Sequence, residues 1–309
     1  MAEIRTTIYS KELQKQLYPD NSFVKKSVVE RGVDVNAKTV EKPVQGKINK
    51  AKEGEPTSLP LNAYNATDSK HTYPTTLIYC EPMLIDSQSE LMTNYNKRQS
   101  KQEQQAEELN AKVAAYTAQH WCSNKSENIL KTSGTARKSN VAGFSSQRKA
   151  VTKDDFIAVH NLMMRQSLGR NMGNWYGMLT PDMYTDLLKI EDFVDYSKTG
   201  NETKLREGII GRILGIELFM RSTEEGHCGV LYNGNSPLSG DSKITDDLLS
   251  GALFWHSKAV CRAEGVVKTI INENAPGYMG GTLIESFMRY GADIIRDDHK
   301  GVITLLEAK

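Results

Sequence analysis

Cysteine is scarce. The 309 residues contain 4, at positions 80, 122, 228 and 261, and no two stand as a CxxC pair. That scatter excludes a disulfide framework and zinc-finger spacing, and it reads as four reduced thiols. Long apolar runs are missing too. Nothing approaches the roughly 20 residues of a membrane span, and no signal-like segment follows Met1. The expectation is a chain made in a cytoplasm with no membrane partner. Excess charge of either sign is also absent, since 39 Lys+Arg against 38 Asp+Glu leave +1. A protein that grips DNA by neutralising phosphates carries a clear basic excess, and none stands out here.

Signatures of catalysis are equally thin. There is no GxxxxGK[ST] phosphate loop and no GxGxxG opening a helix. Gly208, Gly211 and Gly215 are spaced GxxGxxxG inside a strand-like run, the wrong setting for a phosphate cradle. His227-Cys228, flanked by Gly226 and Gly229, reads as a tight turn rather than a metal site. Ser146-Gln-Arg-Lys149 matches SxxK, but within a Ser-rich polar stretch rather than at a helix start. Asp154-Asp155, Asp246-Asp247 and Asp297-Asp298 read as caps and turns, and His256 in FWHSK as a core or interface histidine. No catalytic group, cofactor or metal is expected.

What is present is an uneven chain whose polar lean lies before residue 150. YSKELQKQLYPDNSF (9–23) spaces Leu13 and Leu17 for a short amphipathic helix ended by Pro19. Residues 36–74 are punctuated by Pro43, Gly46, Gly54, Pro56, Pro60 and Pro74, with Lys42, Lys47, Lys50 and Lys52 interleaved. A stretch this long is a functional loop, a disordered one, or a two-stranded arm reaching from a body. TTLIYCEPMLID (75–86) reads as a strand. Residues 87–121 then pass without Pro or Gly, behind the capping box Ser87-Gln-Ser-Glu90. As one helix they span about 52 Å. The apolar stripe is narrow (Leu91, Tyr95, Ala106, Leu109, Val113, Tyr116), so one side lies on a body and the other faces solvent or a neighbouring chain.

Residues 123–150 carry six Lys/Arg against one acid, Glu127, and read as a mobile linker or a loop. From 152 a mixed α/β body follows. A helix over 154–168 starts behind Thr152 and Asp155. WYGMLT (175–180) is strand-like, and Thr180-Pro181-Asp182 opens a second helix. Further strands are expected over 208–222, 282–295 and 301–308. Residues 248–265 are apolar enough to be buried, without a period that separates helix from strand.

In this order the segments resemble the major capsid proteins of tailed bacteriophages, whose α+β Hong Kong phage-type fold is shared with encapsulin shells. The most specific stretch is the strand at 75–86 leading into the long "spine" helix, with the aromatic-x-basic-basic-x-Ser core Tyr95, Lys97, Arg98 and Ser100. Asn96 replaces an aspartate common in that family. TPDMYTDLL (180–188), GRILGIELFMRS (211–222), ALFWHSKAVCRAEG (252–265) and SFMRYGADIIRDDHKGVITL (286–305) continue the match.

The resemblance implies an N-terminal arm (1–35), an extended E-loop (36–74) and a P-domain strand, spine helix and linker (75–158). An A-domain (159–285) and C-terminal strands returning to the P-domain/A-domain sheet (286–309) complete it. It implies a structural subunit that self-assembles through homo-pentamers and homo-hexamers into an icosahedral shell around double-stranded DNA, in the virion, assembled in a bacterial host's cytoplasm. Candidate inter-subunit contacts are Lys42, Lys47, Lys50, Lys52, Tyr64, Tyr73, Tyr95, Lys97 and Arg98. Partners would be other copies, a separate scaffolding protein, a portal, decoration proteins and DNA contacted non-specifically. Two alternatives differ in observable ways. An encapsulin-like nanocompartment encloses protein instead of DNA, and a cytosolic adaptor built on an exposed helix stays a small oligomer.

Overall fold

A computed structural model of the chain describes residues 21–30, 38–44, 53–54, 68–85, 97–166, 174–190, 211–224, 229–273, 277–278 and 281–309. The helix expected over 9–23 lies largely outside them, and Ser22–Lys25 form a single 3-10 turn. In chain order the strands are β1 (Val28–Val29), β2 (Thr39–Val44), β3 (Ser69–Pro74), β4 (Thr76–Tyr79), β5 (Met83–Ile85), β6 (Ile129–Lys131), β7 (Ala136–Lys138), β8 (Gln147–Lys149) and β9 (Trp175–Leu179). After them come β10 (Gly211–Ile213), β11 (Ile216–Met220), β12 (Leu231–Asn233), β13 (Ser236–Pro237), β14 (Leu249–His256), β15 (Val260–Glu264), β16 (Lys268–Asn272), β17 (Thr282–Ile294) and β18 (Val302–Leu306). The helices are α1 (Lys97–His120), α2 (Lys153–Arg165) and α3 (Pro181–Leu187).

Two sheets organise these elements. The first runs β1-β15-β17-β16, with β4 and β5 also paired to the 13-residue β17. Along β17, Ile284, Ser286, Met288 and Tyr290 are buried while the residues between them are half-exposed, the period-2 pattern of a sheet covered on one face. The cover is α1, which packs over β17 and β4. The second sheet runs β10-β11-β9-β14-β12-β13, and β18 joins it between β14 and β6. One of its faces carries α2 and α3, where Phe156, Val159, Met163, Met183 and Leu187 pack on Leu218, Phe254, Ile303 and Leu305. Its other face shares a core with the first sheet.

Phe23 plugs that shared core, making edge contacts with Trp121 and Trp255 at 6.1 Å each. Trp121 Nε1 donates to Cys261 O at 3.2 Å and Trp255 Nε1 to Lys26 O at 2.9 Å, so both indoles bury without an orphaned donor. Arg262 reaches Val24 O and Ser27 Oγ, fastening the same N-terminal segment from the other side.

Several local signals act as the sequence implies. Thr152 and Asp155 form the capping box of α2, and Thr180 caps α3 with Pro181 at its first position. Elsewhere the chain departs from the reading. The run 208–222 is no single strand. Within it β10 and β11 form a hairpin through Leu214 and Gly215, both at positive φ (47° and 83°), as a two-residue turn of matching twist requires. The strand expected over 75–86 divides into β4 and β5 around Cys80–Pro82. The ambiguous 248–265 is two strands, β14 and β15, joined at Ser257–Ala259. Residues 123–150 are not a mobile linker. They contribute β6 to the second sheet and form the β7–β8 hairpin, because their polar side chains have buried partners. The boundary expected at 285 falls inside β17. His227 and Cys228, and the capping box Ser87–Glu90, lie outside the described residues.

Candidate inter-subunit surfaces

Beyond the two large sheets, β2 and β3 form an antiparallel pair from Thr39↔Pro74 to Val44↔Ser69, the rooted end of the arm expected over 36–74. Its root is held by packing. Tyr73, 1% exposed, enters a cluster with Val40, Cys261 and Ala263. Gly291 makes room for it, since a Cβ there would stand 3.1 Å from both Tyr73 Cε2 and Thr75 Cγ2. Burial, with Cys261 beside it, pushes the Tyr73 phenol far above its ordinary range, and burial lifts the Cys261 thiol to about 11. His71 lies 3.3 Å from Asp293 and 3.5 Å from Asp297. Lys42 turns back to Glu30 of its own chain at 2.5 Å, whereas Lys70 and Glu41 pair in the open.

The long helix is wet only at one end. Toward its C-terminus Val113, Ala114, Ala115, Thr117 and Ala118 are buried, and Thr117 Oγ1 lies 2.7 Å from the Tyr290 hydroxyl. Toward its N-terminus Gln99, Glu103, Glu107 and Asn110 are exposed, and Arg98 reaches across to Glu273, beyond the end of β16, at 2.7 Å. The stripe differs from the expected one at one turn. Ala106 is exposed, and its polar neighbour Gln105 is 3% exposed, donating to Ile284 O at 3.0 Å and accepting from Ser286 Oγ at 3.2 Å. The sheet supplies the partners that make a buried amide tolerable.

Of the nine expected contact residues, then, Lys42 and Arg98 are committed to ion pairs within the chain. Tyr73 is 1% exposed and packs within its own chain, where Gly291 permits its close approach. Lys97 opens α1. Lys47, Lys50, Lys52, Tyr64 and Tyr95 lie outside the described residues.

Sequence reasoning missed a buried ionic network that fixes 132–151 on the second sheet. Arg137 donates to Asp186 at 2.6 Å and Glu307 at 3.1 Å, and stands 3.3 Å from Asp182. Asp182 also accepts from Ser139 Oγ, Asn140 N and Asn140 Nδ2 at 2.8–3.0 Å. Burial opposes its charge, but these donors and the guanidinium outweigh it and hold the carboxyl below the usual range. Glu307, fully buried, goes the other way: burial exceeds the pull of Arg137 and raises it. Arg148, over the Phe144 ring at 4.2 Å, donates to Asp246 O at 2.8 Å. The hint in the sequence was chemical, since a run of Arg, Ser and Asn facing acids at helix α3 answers them as well as water does.

Two surfaces remain uncovered among the described residues. On the first sheet's face opposite α1, Leu77, Tyr79 and Leu84 are 46%, 66% and 45% exposed, opposite Arg289, Phe287 and Leu283. At the sheet's edge, β16 pairs with β17 and with no other described strand, and all five of its residues are exposed. Val266 (82%), Val267 (47%), Ile270 (46%) and Ile271 (46%) make this margin apolar. Among the described residues no group of three or more His, Cys, Asp or Glu side chains is placed to hold a metal ion, and no described helix is long and apolar enough to cross a membrane.

No protein-family model and no curated protein matches the chain. Solved structures match it end to end. A chain from Mycobacterium phage Che8 is 15% identical with a TM-score of 0.64, over 99% of this chain and 98% of that one. The capsid of cyanophage P-SCSP1u is 14% identical at a TM-score of 0.67, over 99% and 94%. The capsid of the native GTA particle is 12% identical at 0.64, over 99% and 96%. Such identities establish the α+β fold common to these structures.

Proposed function

We propose that this chain is the major capsid subunit of a tailed bacteriophage, building an icosahedral shell of pentamers and hexamers around double-stranded DNA. The observation that carries the reading is the two-way coverage. The match spans at least 98% of this chain and 91% of each capsid chain compared, which is what a subunit of the same kind of shell would show. Fold alone does not dictate function, and the reading is supported by the recurrence of capsid chains among the full-length structural neighbours.

On this reading α1, the β2–β3 arm and the first sheet form the peripheral domain, and the second sheet with α2 and α3 forms the domain around the five- and six-fold axes. The arm beyond Val44 and Ser69 lies over a neighbouring copy, with Lys47, Lys50, Lys52 and Tyr64 as its contacts. Many copies in slightly different environments require adaptable margins. Scaffolding, portal and decoration proteins are the accessory partners, and the shell belongs to the virion.

Sedimentation velocity of the recombinant chain, with negative-stain electron microscopy of the fast fraction, tests this. Closed shells or rings of five and six are expected, and nuclease-protected DNA distinguishes a virion from a cargo compartment. A chain that stays monomeric or dimeric with a co-expressed scaffold and a crowding agent refutes it.

A further inference from the structure

Among the described strands β16 has an unpaired edge, which is unusual for a strand of this composition. Edge strands are ordinarily guarded by charges, prolines or bulges, and this margin offers Val266, Val267, Ile270 and Ile271 with one lysine, Lys268, among them. Side chains alternate across it. Lys268 and Ile270 pair with Phe287 and Glu285 on the face away from α1, and Thr269 and Ile271 pair with Ser286 and Ile284 on the face beneath it.

We propose that β16 pairs antiparallel with β16 of a second copy about a two-fold axis through Thr269, joining two first sheets into one. This rests on the shell reading above. An antiparallel pair related by a two-fold keeps each face on its own side, so residues of like parity must meet. Centring the axis on Lys268 sets two lysines opposite each other, which is repulsive. Centring it on Thr269 sets Val267 against Ile271 twice on one face, Lys268 against Ile270 twice on the other, and Thr269 against its own copy. Apolar β-branched and Thr–Thr pairs of this kind stabilise sheets.

The described residues leave space for it. In the joined sheet β17 and its copy are three strand spacings apart, about 14 Å. Helix α1 sits over β17 and leans toward β4, away from β16. Two copies of α1 therefore clear the 8–10 Å at which helices touch. The seven residues 266–272 offer far less than the roughly 800 Å² that each partner of a stable isolated dimer buries. The pairing thus closes within an assembly whose other contacts bring the strands together.

The test is site-directed disulfide trapping in assembled particles of the full chain. Thr269→Cys places two thiols directly opposite, at a Cβ separation of about 4.5–5.5 Å that small backbone shifts bring to disulfide geometry. Asn272→Cys, on the same exposed strand, places them about 20 Å apart. Under mild oxidant the first variant is expected to convert largely to a disulfide-linked dimer. Asn272→Cys and the wild-type chain, with its own cysteines, are expected to stay monomeric on a non-reducing gel. Particles of Thr269→Cys without the dimer, or an Asn272→Cys dimer of equal yield, overturn the pairing while leaving the shell reading intact. A chain that forms no particles even with a co-expressed scaffold and a crowding agent overturns both.

Discussion

Replacing Arg137 by Met tests why the polar stretch 123–150 is ordered. The guanidinium, 17% exposed, serves three carboxylates whose side chains are 4%, 2% and 0% exposed. Methionine keeps much of the volume and removes the charge. Asp182 retains Ser139 and Asn140, and Asp186 retains the Val151 amide and Lys189, although that lysine is 68% exposed and its pull is screened. Glu307 keeps the hydroxyls of Ser250 and Thr180, at 3.3 and 3.4 Å, and the more distant charge of Arg148. Breaking a buried pair in this way costs about 3–5 kcal/mol, a melting point lower by roughly 6–10 °C in a chain of this size.

The pH dependence has a definite sign. Without Arg137 the Glu307 carboxyl rises further, so the folded variant takes up a proton at a pH where the unfolded chain, near 4.3, does not. Folding is then favoured as pH falls, by about 1.4 kcal/mol per pH unit per proton. The gap between wild type and Arg137→Met, measured by thermal melting at pH 7 and pH 5, is expected to narrow by at least half. An equal gap at both values, or one under about 1 kcal/mol at pH 7, would refute the argument that buried carboxylates need this cation.

Phe23→Ala empties the plug between the sheets and is expected to cost about 3–5 kcal/mol, with amide exchange of Val28 and Val29 rising as the N-terminal segment loosens. Gly251→Ala puts a Cβ 2.2 Å from Leu305 O and 2.9 Å from Leu306 Cα, so β14 and β18 must separate. Insoluble protein is expected on expression, and a soluble variant melting like wild type would count against the register. Thr152→Ala removes the cap of α2 for about 1 kcal/mol, read from the melting point. His256 is held below its ordinary range by burial and then by Lys258. Below about pH 6.5 the unfolded chain takes a proton that the folded chain resists, so stability falls with pH there. His256→Gln is expected to flatten the melting-point slope between pH 7 and 5.5.

Elements whose signals are local were legible in the sequence. The caps of α2 and α3 need residues within one turn, and β17 shows its alternation in TLIESFMRY. Elements whose logic is long-range were not. Ser139 and Asn140 look like linker residues until Asp182 arrives from 43 and 42 positions away, and Arg137 meets Glu307 across 170. Gln105 reads as a solvent residue, yet its partners Ile284 and Ser286 lie 179 and 181 positions on. Leu214-Gly215 lacks the Asn-Gly that announces a tight hairpin, so a turn was read as continuous strand. The pairing of β2 with β3 was legible only as one of several readings of an extended stretch, and the burial of Tyr73 against Gly291 was not, since nothing nearby in sequence reveals that glycine. Of the contact surfaces, the basic residues were visible and the bare edge of β16 was not, since an apolar run reads as core whichever side of a sheet it borders.

The position of β18 has a consequence for the timing of synthesis. This strand lies between β14 and β6, so residues 129–131 find their partner only when residues 302–306 have been made. At about 5–20 residues per second, the intervening stretch takes a ribosome roughly ten to thirty seconds. Throughout that interval β6 has no partner and Arg137 no Glu307, and the second sheet stays incomplete. A nascent chain in this state lacks the finished shape that neighbours would recognise. If the chain assembles as proposed, growing copies on one polysome are kept from joining early, and the completion of translation sets the moment at which a copy can join.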